Sequence, residues 1–365
     1  MPSAGLDFSK LTPKNGAVQQ LKELIFLALM SVNEIGGLVN FLPRQEHGKK
    51  VGFVGEFDDL GQPSTGCDPD YGNDIINMSE KTWDIREWEI AEAICYKDLL
   101  NTLAKSALRT KTSIADLTGT EYMDDFLMPR LERAVKKLIL RVAFFGDTDA
   151  TVYNSSSNSS GTLKAGSVAK RYTIADGLWK HIFQGVASGT IQRVEIDANT
   201  KTTYKAQLDA MKQKGVASGI VTDLIMNAPP VLREYAGSLR LYCTQIFADC
   251  LALDVRAFGS GDLQWKEQFL GIKTAQYAGV EIVALPFWDE IIAKSLQNTT
   301  NANAMMLPFR AFLTIKDNLL VGTESENEVA DIQVHFDKKD RKNYIYVSDT
   351  IGTLIAQDDL IEAAY

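Results

Sequence analysis

The stretch GEFDDLGQPSTGCDPDYGND, residues 55–74, limits what this chain can become more than any other part of it. It holds four glycines, two prolines and six acids, with no Lys or Arg. Its apolar residues are Phe57, Leu60, Cys67 and Tyr71, too few to repay the entropy of ordering it alone. Yet both flanks are strand-like. Val51, Phe53, Gly55 and Phe57 share one face before the tip, and Trp83 and Ile85 resume the alternation after it. Past Arg86-Glu87 the pattern moves to Trp88, Ile90 and Ile94, a slip of one residue that predicts a bulge and a bend. Residues 48–90 therefore read as a two-stranded ribbon with a long acidic tip. Such a ribbon is marginal by itself in water, so it must lie on its own domain or on another molecule.

The remaining chain has the means to build a core. It has 365 residues, 45% of them hydrophobic, enough for one extended domain or two. Its net charge of −9 argues against gripping nucleic acid over the whole surface. The opening MPSAGLDFSK does not read as a signal peptide, and LIFLALM is far too short to cross a bilayer, so no membrane is expected. Cys67, Cys95, Cys243 and Cys250 form no CxxC pair and read as reduced thiols in a cytoplasmic setting. Cys243 and Cys250 look like small core residues.

Along the chain, a helix is expected from Gly16 and another over 91–108. The strongest starts at the capping box TGTE (118–121) and runs through Leu127, Leu131, Ala134, Val135, Leu138, Ile139 and Val142 to Gly146. From Thr120 to Phe145 that is roughly 39 Å at 1.5 Å per residue. Residues 154–167 form a polar loop. The region 172–310 mixes helices (TIADGLWKHIFQGVA, TTYKAQLDAMKQKG) with strands (GIVTDLIM, SLRLYCTQI, GVEIVALPFW). RAFLTIK, DIQVHF and NYIYVSDTIGTLIA close the chain as strands. The order predicts an α+β fold rather than alternating βαβ units.

No motif for chemistry stands out. Walker A, GxGxxG, HExxH and GxSxG are absent, and the three histidines fall in no triad or zinc spacing. His181 reads as a structural histidine on an amphipathic helix. DPDYGND (68–74) offers oxygen ligands but lacks calcium-loop spacing, and turn chemistry accounts for it better. No catalytic residue, metal or cofactor is expected. What remains is charge. Arg130, Arg133, Lys136, Lys137 and Arg141 share the polar face of the long helix with one acid, Glu132, and KKDRK (338–342) is a second basic cluster. A solvated face is the ordinary account of such residues. Opposite patches on one chain also invite head-to-tail contact between copies.

The whole order resembles the major capsid proteins of tailed bacteriophages, the Hong Kong 97 fold. The elements that carry the resemblance are an N-terminal arm, an extended loop at 48–90, the helix RLERAVKKLILRVAFFGDTDA and the segment YTIADGLWKHI. QYAGVEIVALPFWDE, AFLTIKDNLLVGTESE and YIYVSDTIGTLIAQDDLIEAAY complete it. The resemblance implies an arm with a helix at 1–47, an extended E-loop hairpin at 48–90 and a peripheral domain with a spine helix at 91–171. It further implies an axial α/β domain at 172–310, peripheral strands at 311–346 and a final strand returning to the axial domain at 347–365. The implied function is a non-enzymatic shell subunit. It would assemble through hexamers and pentamers into an icosahedral head around double-stranded DNA, without sequence-specific binding. Portal, scaffolding or decoration proteins are the expected partners, and the virion, assembled in host cytoplasm, is the expected location. The short arm suggests separate scaffolding or none, and no Lys–Asn crosslink pattern is recognisable around Lys49, Lys50 and Lys81 with Asn318 or Asn343. In a shell the hairpin would lie on a neighbour. Asp58, Asp59, Asp68, Trp83 and Trp88 would then meet that neighbour's Arg130, Arg133, Lys136, Lys137 and Arg141. The alternatives are an encapsulin-like shell around cargo, an enzyme with a long lid, and a tail or adhesion protein.

Overall fold

The protein is described here as a computed structural model over residues 37–57, 76–95, 128–154, 161–259, 262–267, 271–324, 331–337, 339–340 and 342–365. The expected helices near Gly16 and over 96–108, the capping box and the tip 58–75 lie outside these residues.

The strands are β1 (Asn40–Leu42), β2 (Lys50–Phe57), β3 (Ile76–Thr82), β4 (Arg86–Cys95), β5 (Gln192–Val194), β6 (Leu239–Thr244) and β7 (Lys266–Glu267). They continue with β8 (Lys273–Tyr277), β9 (Val280–Leu285), β10 (Ala311–Ile315), β11 (Leu319–Gly322), β12 (Asp331–Asp337), β13 (Lys342–Ile355) and β14 (Ile361–Ala364). The helices are α1 (Met128–Phe145), α2 (Leu178–Ser188), α3 (Tyr204–Met211), α4 (Val216–Asn227), α5 (Pro230–Glu234), α6 (Gln245–Ala257) and α7 (Pro286–Ser295).

A mixed seven-stranded sheet runs β5-β14-β10-β6-β9-β8-β7. Its middle strands are buried on both faces, and the period of two divides their side chains between two cores. Tyr242, Val283, Phe312, Ile361 and Ala363 face one core, together with α1, α2 and α7. Leu241, Cys243, Ile282, Leu313 and Ala364 face the other, together with α4 and α6. Cys243 and Cys250 are both buried, as expected.

The second sheet runs β1-β11-β13-β12, with β4 also on β13. β13 is its axis. Its first part lies between β12 and β4, and its last residues pair with β11. Its buried residues alternate, with Ile345, Val347 and Ile351 turned toward the core that also holds Val135, Leu138 and Ile139 of α1. Among the described residues β2 and β3 pair only with each other, as a separate two-stranded ribbon.

The end of α1 is fixed by a tight crossing. A Cβ on Gly146 would sit 2.1 Å from the Ala175 carbonyl oxygen, and one on Gly177 would sit 2.6 Å from the Gly146 nitrogen. Only glycine permits that approach. Beside it, Lys180 Nζ reaches Asp147 at 2.8 Å, Asp149 at 2.7 Å and Asp176 at 2.9 Å. Despite the desolvation that opposes it, these carboxylates hold the Lys180 pKa above its ordinary value. Thr148 and Lys180 hold Asp176 below its own, against the same opposition from burial. Above them Trp179 stands edge-on to Trp288 and Phe312, each at 5.3 Å, which ties α2, α7 and β10 together. The fully buried Arg310 guanidinium stacks near Trp179 (5.1 Å) and Phe145 (5.5 Å) and donates to the carbonyls of Leu307 and Met306.

Several sequence expectations need correction. Residues 91–95 continue β4 instead of starting a helix, because they pair with 342–346 of β13. GIVTDLIM is part of α4, not a strand: Ala217, Ile220, Val221 and Leu224 recur at helical spacing and pack on the sheet. The β-branched residues pointed to a strand, and packing overrode them. SLRLYCTQI and GVEIVALPFW are strands only to Thr244 and Leu285, where helices begin. The phase slip after Ile85 is a change of sheet. β3 ends at Thr82 and β4 opens on another partner at Arg86.

Candidate inter-subunit surface

The ribbon is rooted in its own subunit. Trp83 and Ile85 are buried with Leu320, Leu354 and Ala356 in a small separate core, against which Val51 and Leu42 pack. Space for the indole comes from Gly322, and space for the following Asp84 and Ile85 comes from Gly352, opposite it across the strands. A Cβ on Gly322 would lie 2.9 Å from the Trp83 ring, and one on Gly352 would lie 2.8 Å from the Asp84 carbonyl oxygen. Trp83 also exchanges backbone hydrogen bonds with the strand entry: Gly48 N donates to its carbonyl at 2.8 Å, and its N–H donates to Lys49 O at 3.0 Å. Lys81 Nζ on the shaft reaches Asp358 Oδ1 at 2.5 Å and the Ile355 carbonyl at 2.8 Å.

This arrangement removes two residues from the expected contact set. Trp83 is 1% exposed and Trp88 2% exposed, the second in the main core. Their rings already have partners in their own chain and offer nothing to a neighbour. Alternation within the ribbon suggested otherwise; the irregular segment 83–85 between β3 and β4 places Trp83 inward, and β4 pairing places Trp88 in the core shared with α1. Asp58, Asp59 and Asp68 lie outside the described residues, as does the Arg130 side chain. Among the possible crosslink partners, Asn318 is buried and donates to Gln357 and Leu360 carbonyls, and Asn343 is buried as well.

The basic residues of α1 are better placed. Arg133 and Lys137 are exposed, Lys136 and Arg141 half-buried. Arg133, Lys137 and Arg141 open onto a cavity of about 590 Å³ between α1, the segment 165–172 and α7. Its floor is apolar, from Leu140, Tyr172, Pro286, Phe287 and Ile291. Arg141 Nε donates to the Arg171 carbonyl at 3.1 Å, and its guanidinium lies 5.7 Å over the Tyr172 ring. Desolvation there lowers the Arg141 pKa from its ordinary value. The outer wall is held by Lys164, whose N–H donates to the Ser295 carbonyl at 2.8 Å and whose ammonium bonds the Ala293 carbonyl. The cavity also gathers Arg171 and Lys294, which sequence reasoning did not single out. No sequence pattern joins them to α1, because they lie 30 and more residues away. One acid, Glu290, faces this set among the described lining residues, 2.8 Å from Lys294 and 3.6 Å from Lys137. Burial pushes the His181 pKa down, in keeping with a structural histidine. Among the described residues no His, Cys, Asp and Glu cluster could hold a metal, and no helix is long and apolar enough to cross a membrane.

Neither the family models nor the curated proteins compared with the sequence give a match. Solved structures do. A chain of the satellite phage P4 procapsid, which includes the size determination (Sid) protein, is similar over 94% of this chain and 98% of its own. The TM-score is 0.53 at 12% identity. A chain of the empty GTA particle capsid matches over 91% and 88% at a TM-score of 0.48 and 12% identity. One of Gordonia phage Cozz matches over 90% and 85% at 0.46 and 9%. Of these three the first exceeds 0.5 and carries the likeness of fold. That neighbour is a phage procapsid chain, so the resemblance read from the order of elements is one that the mixed α+β fold also shows.

Proposed function

We propose that this chain is the major capsid protein of a tailed phage. It assembles with copies of itself, through hexamers and pentamers, into an icosahedral head that encloses double-stranded DNA. The observation that carries this reading is the match to the P4 procapsid chain, which spans nearly all of both chains and so concerns the whole architecture. The ribbon supports it. β2 and β3 join neither large sheet, and an isolated ribbon needs a surface to lie on. A neighbouring copy supplies one, and a contact between two different patches closes into rings. The subunit is structural rather than catalytic, in keeping with a set of charged residues that faces a groove instead of converging on a reacting atom.

Electron microscopy of the purified chain, with and without co-expressed scaffolding protein, tests the proposal. Closed shells built from pentamers and hexamers are expected. A monodisperse monomer at high concentration under both conditions would overturn it. DNA inside particles made during infection supports a genome container, and enzyme cargo in its place would convert the reading to a cargo compartment.

A further inference from the structure

We infer that the groove between α1, residues 165–172 and α7 is a binding site for a phosphorylated small molecule with an apolar ring, of which a nucleotide is the simplest example. Such a site is independent of how copies of the chain meet. Three guanidiniums, from Arg133, Arg141 and Arg171, open onto the groove, and among the described residues none of them pairs with a carboxylate. The lysines differ: Lys137 and Lys294 share Glu290, at 3.6 Å and 2.8 Å. Five cations thus face one acid, in a chain whose net charge is −9. Arginines gathered without a partner repel one another until an anion lies between them. Arg141 shows the strain in its charge. It is half-buried, desolvation lowers its pKa, and the Arg171 charge lowers it further. Its Nε is taken by the Arg171 carbonyl at 3.1 Å, which leaves its terminal nitrogens as donors. Guanidinium forks hold phosphate oxygens in bidentate pairs, a geometry that lysine lacks. Three forks from two walls suit a multiply charged phosphate. The floor decides the rest of the ligand. Leu140, Pro286, Phe287 and Ile291 are apolar, and the Phe287 ring is steadied by Phe144 at 5.7 Å. A bare anion would leave that surface uncovered, whereas a planar ring covers it. A cavity of about 590 Å³ is of the size that small ligands fill. A duplex keeps its bases stacked inside and offers a groove only its phosphates, so the floor favours a ligand whose ring is free.

Calorimetric titration of the unassembled full-length chain tests the site with three probes. ATP carries both parts of the ligand, inorganic triphosphate lacks the ring, and adenosine lacks the phosphates. ATP is expected to bind about tenfold more tightly than triphosphate, and adenosine to give no measurable binding. Arg133→Gln and Arg171→Gln are each expected to weaken ATP about tenfold, as loss of a charge-assisted bond does. Arg171→Lys, which keeps the charge and loses the fork, should recover only part of that. Lys205→Ala, at an exposed lysine on α3 outside the groove, should change nothing. The Arg133 and Arg171 side chains are exposed, and melting curves report whether the variants fold. ATP should also raise the Tm of the wild type and not that of the two glutamine variants. Equal ATP binding by the wild type and those variants overturns the inference, as does an equal loss with Lys205→Ala. Triphosphate bound as tightly as ATP rejects the ring. Duplex DNA that binds more tightly per phosphate than ATP, and is weakened by the same variants, gives the groove to a nucleic-acid backbone and overturns the small-molecule site. Each of these outcomes leaves the shell reading where it stands.

Discussion

The seven-stranded sheet and the β2–β3 ribbon are built from similar residues and live in opposite environments. In the sheet, β6, β9, β10 and β14 have cores on both faces, so each side chain is fixed from above and below. In the ribbon, each strand has one strand partner among the described residues, and the described ties to the body include those of Trp83 and Lys81. The sheet's order is set within the chain. The ribbon's root is set within the chain too, through Trp83 and Lys81.

The largest effect that could break the comparison is at the root. Trp83→Ala empties the small core and is expected to cost about 3–5 kcal/mol in urea unfolding, as for other large core truncations. A loss below about 1 kcal/mol would mean that the root is as loosely held as the shaft.

The next effect concerns the sheet. Glu362 on β14 is 1% exposed, and burial raises its pKa to about 7 with Arg233 giving weak opposition. A raised carboxyl is protonated in the fold and ionised in the unfolded chain. Stability therefore falls as pH rises from the ordinary carboxyl range through about 7 and then levels off. Glu362→Gln is expected to stabilise the chain above pH 7 by about 3 kcal/mol, at 1.36 kcal/mol per unit. The gain should vanish below pH 4.5. A gain independent of pH would assign it to packing instead.

The smallest effect on stability belongs to the tip. Replacing 58–74 by a short turn is expected to change the unfolding free energy by less than about 1 kcal/mol, since closure entropy varies slowly with loop length. The same deletion should block assembly in light scattering. A deletion that unfolds the chain would place the tip in the subunit's own core and end the contrast between the two regions.

The sequence by itself determined the local periods and where they stop. The alternation around 51–57 gives β2, the 3.6-residue spacing through Leu131, Val135, Leu138 and Val142 gives α1, and the composition of 55–74 excludes a core there. These are properties of neighbours in the chain, so the chain displays them. Tertiary structure alone decided which way a given face points and which distant residues meet. Trp83 and Trp88 follow strand alternation, yet Trp83 is buried against Gly322, more than two hundred residues away, and Trp88 in the main core through the pairing of β4 with β13. α4 carries β-branched residues that favour a strand, and its packing against the sheet made it a helix. Arg171 and Lys294 join Arg133 and Lys137 only because Gly146 and Gly177 let two backbones cross and Trp288 docks α7 beside α1. Periodicity encodes what a residue does to its neighbours within a few positions. A groove lined by three segments depends on packing between elements, and no local period records it.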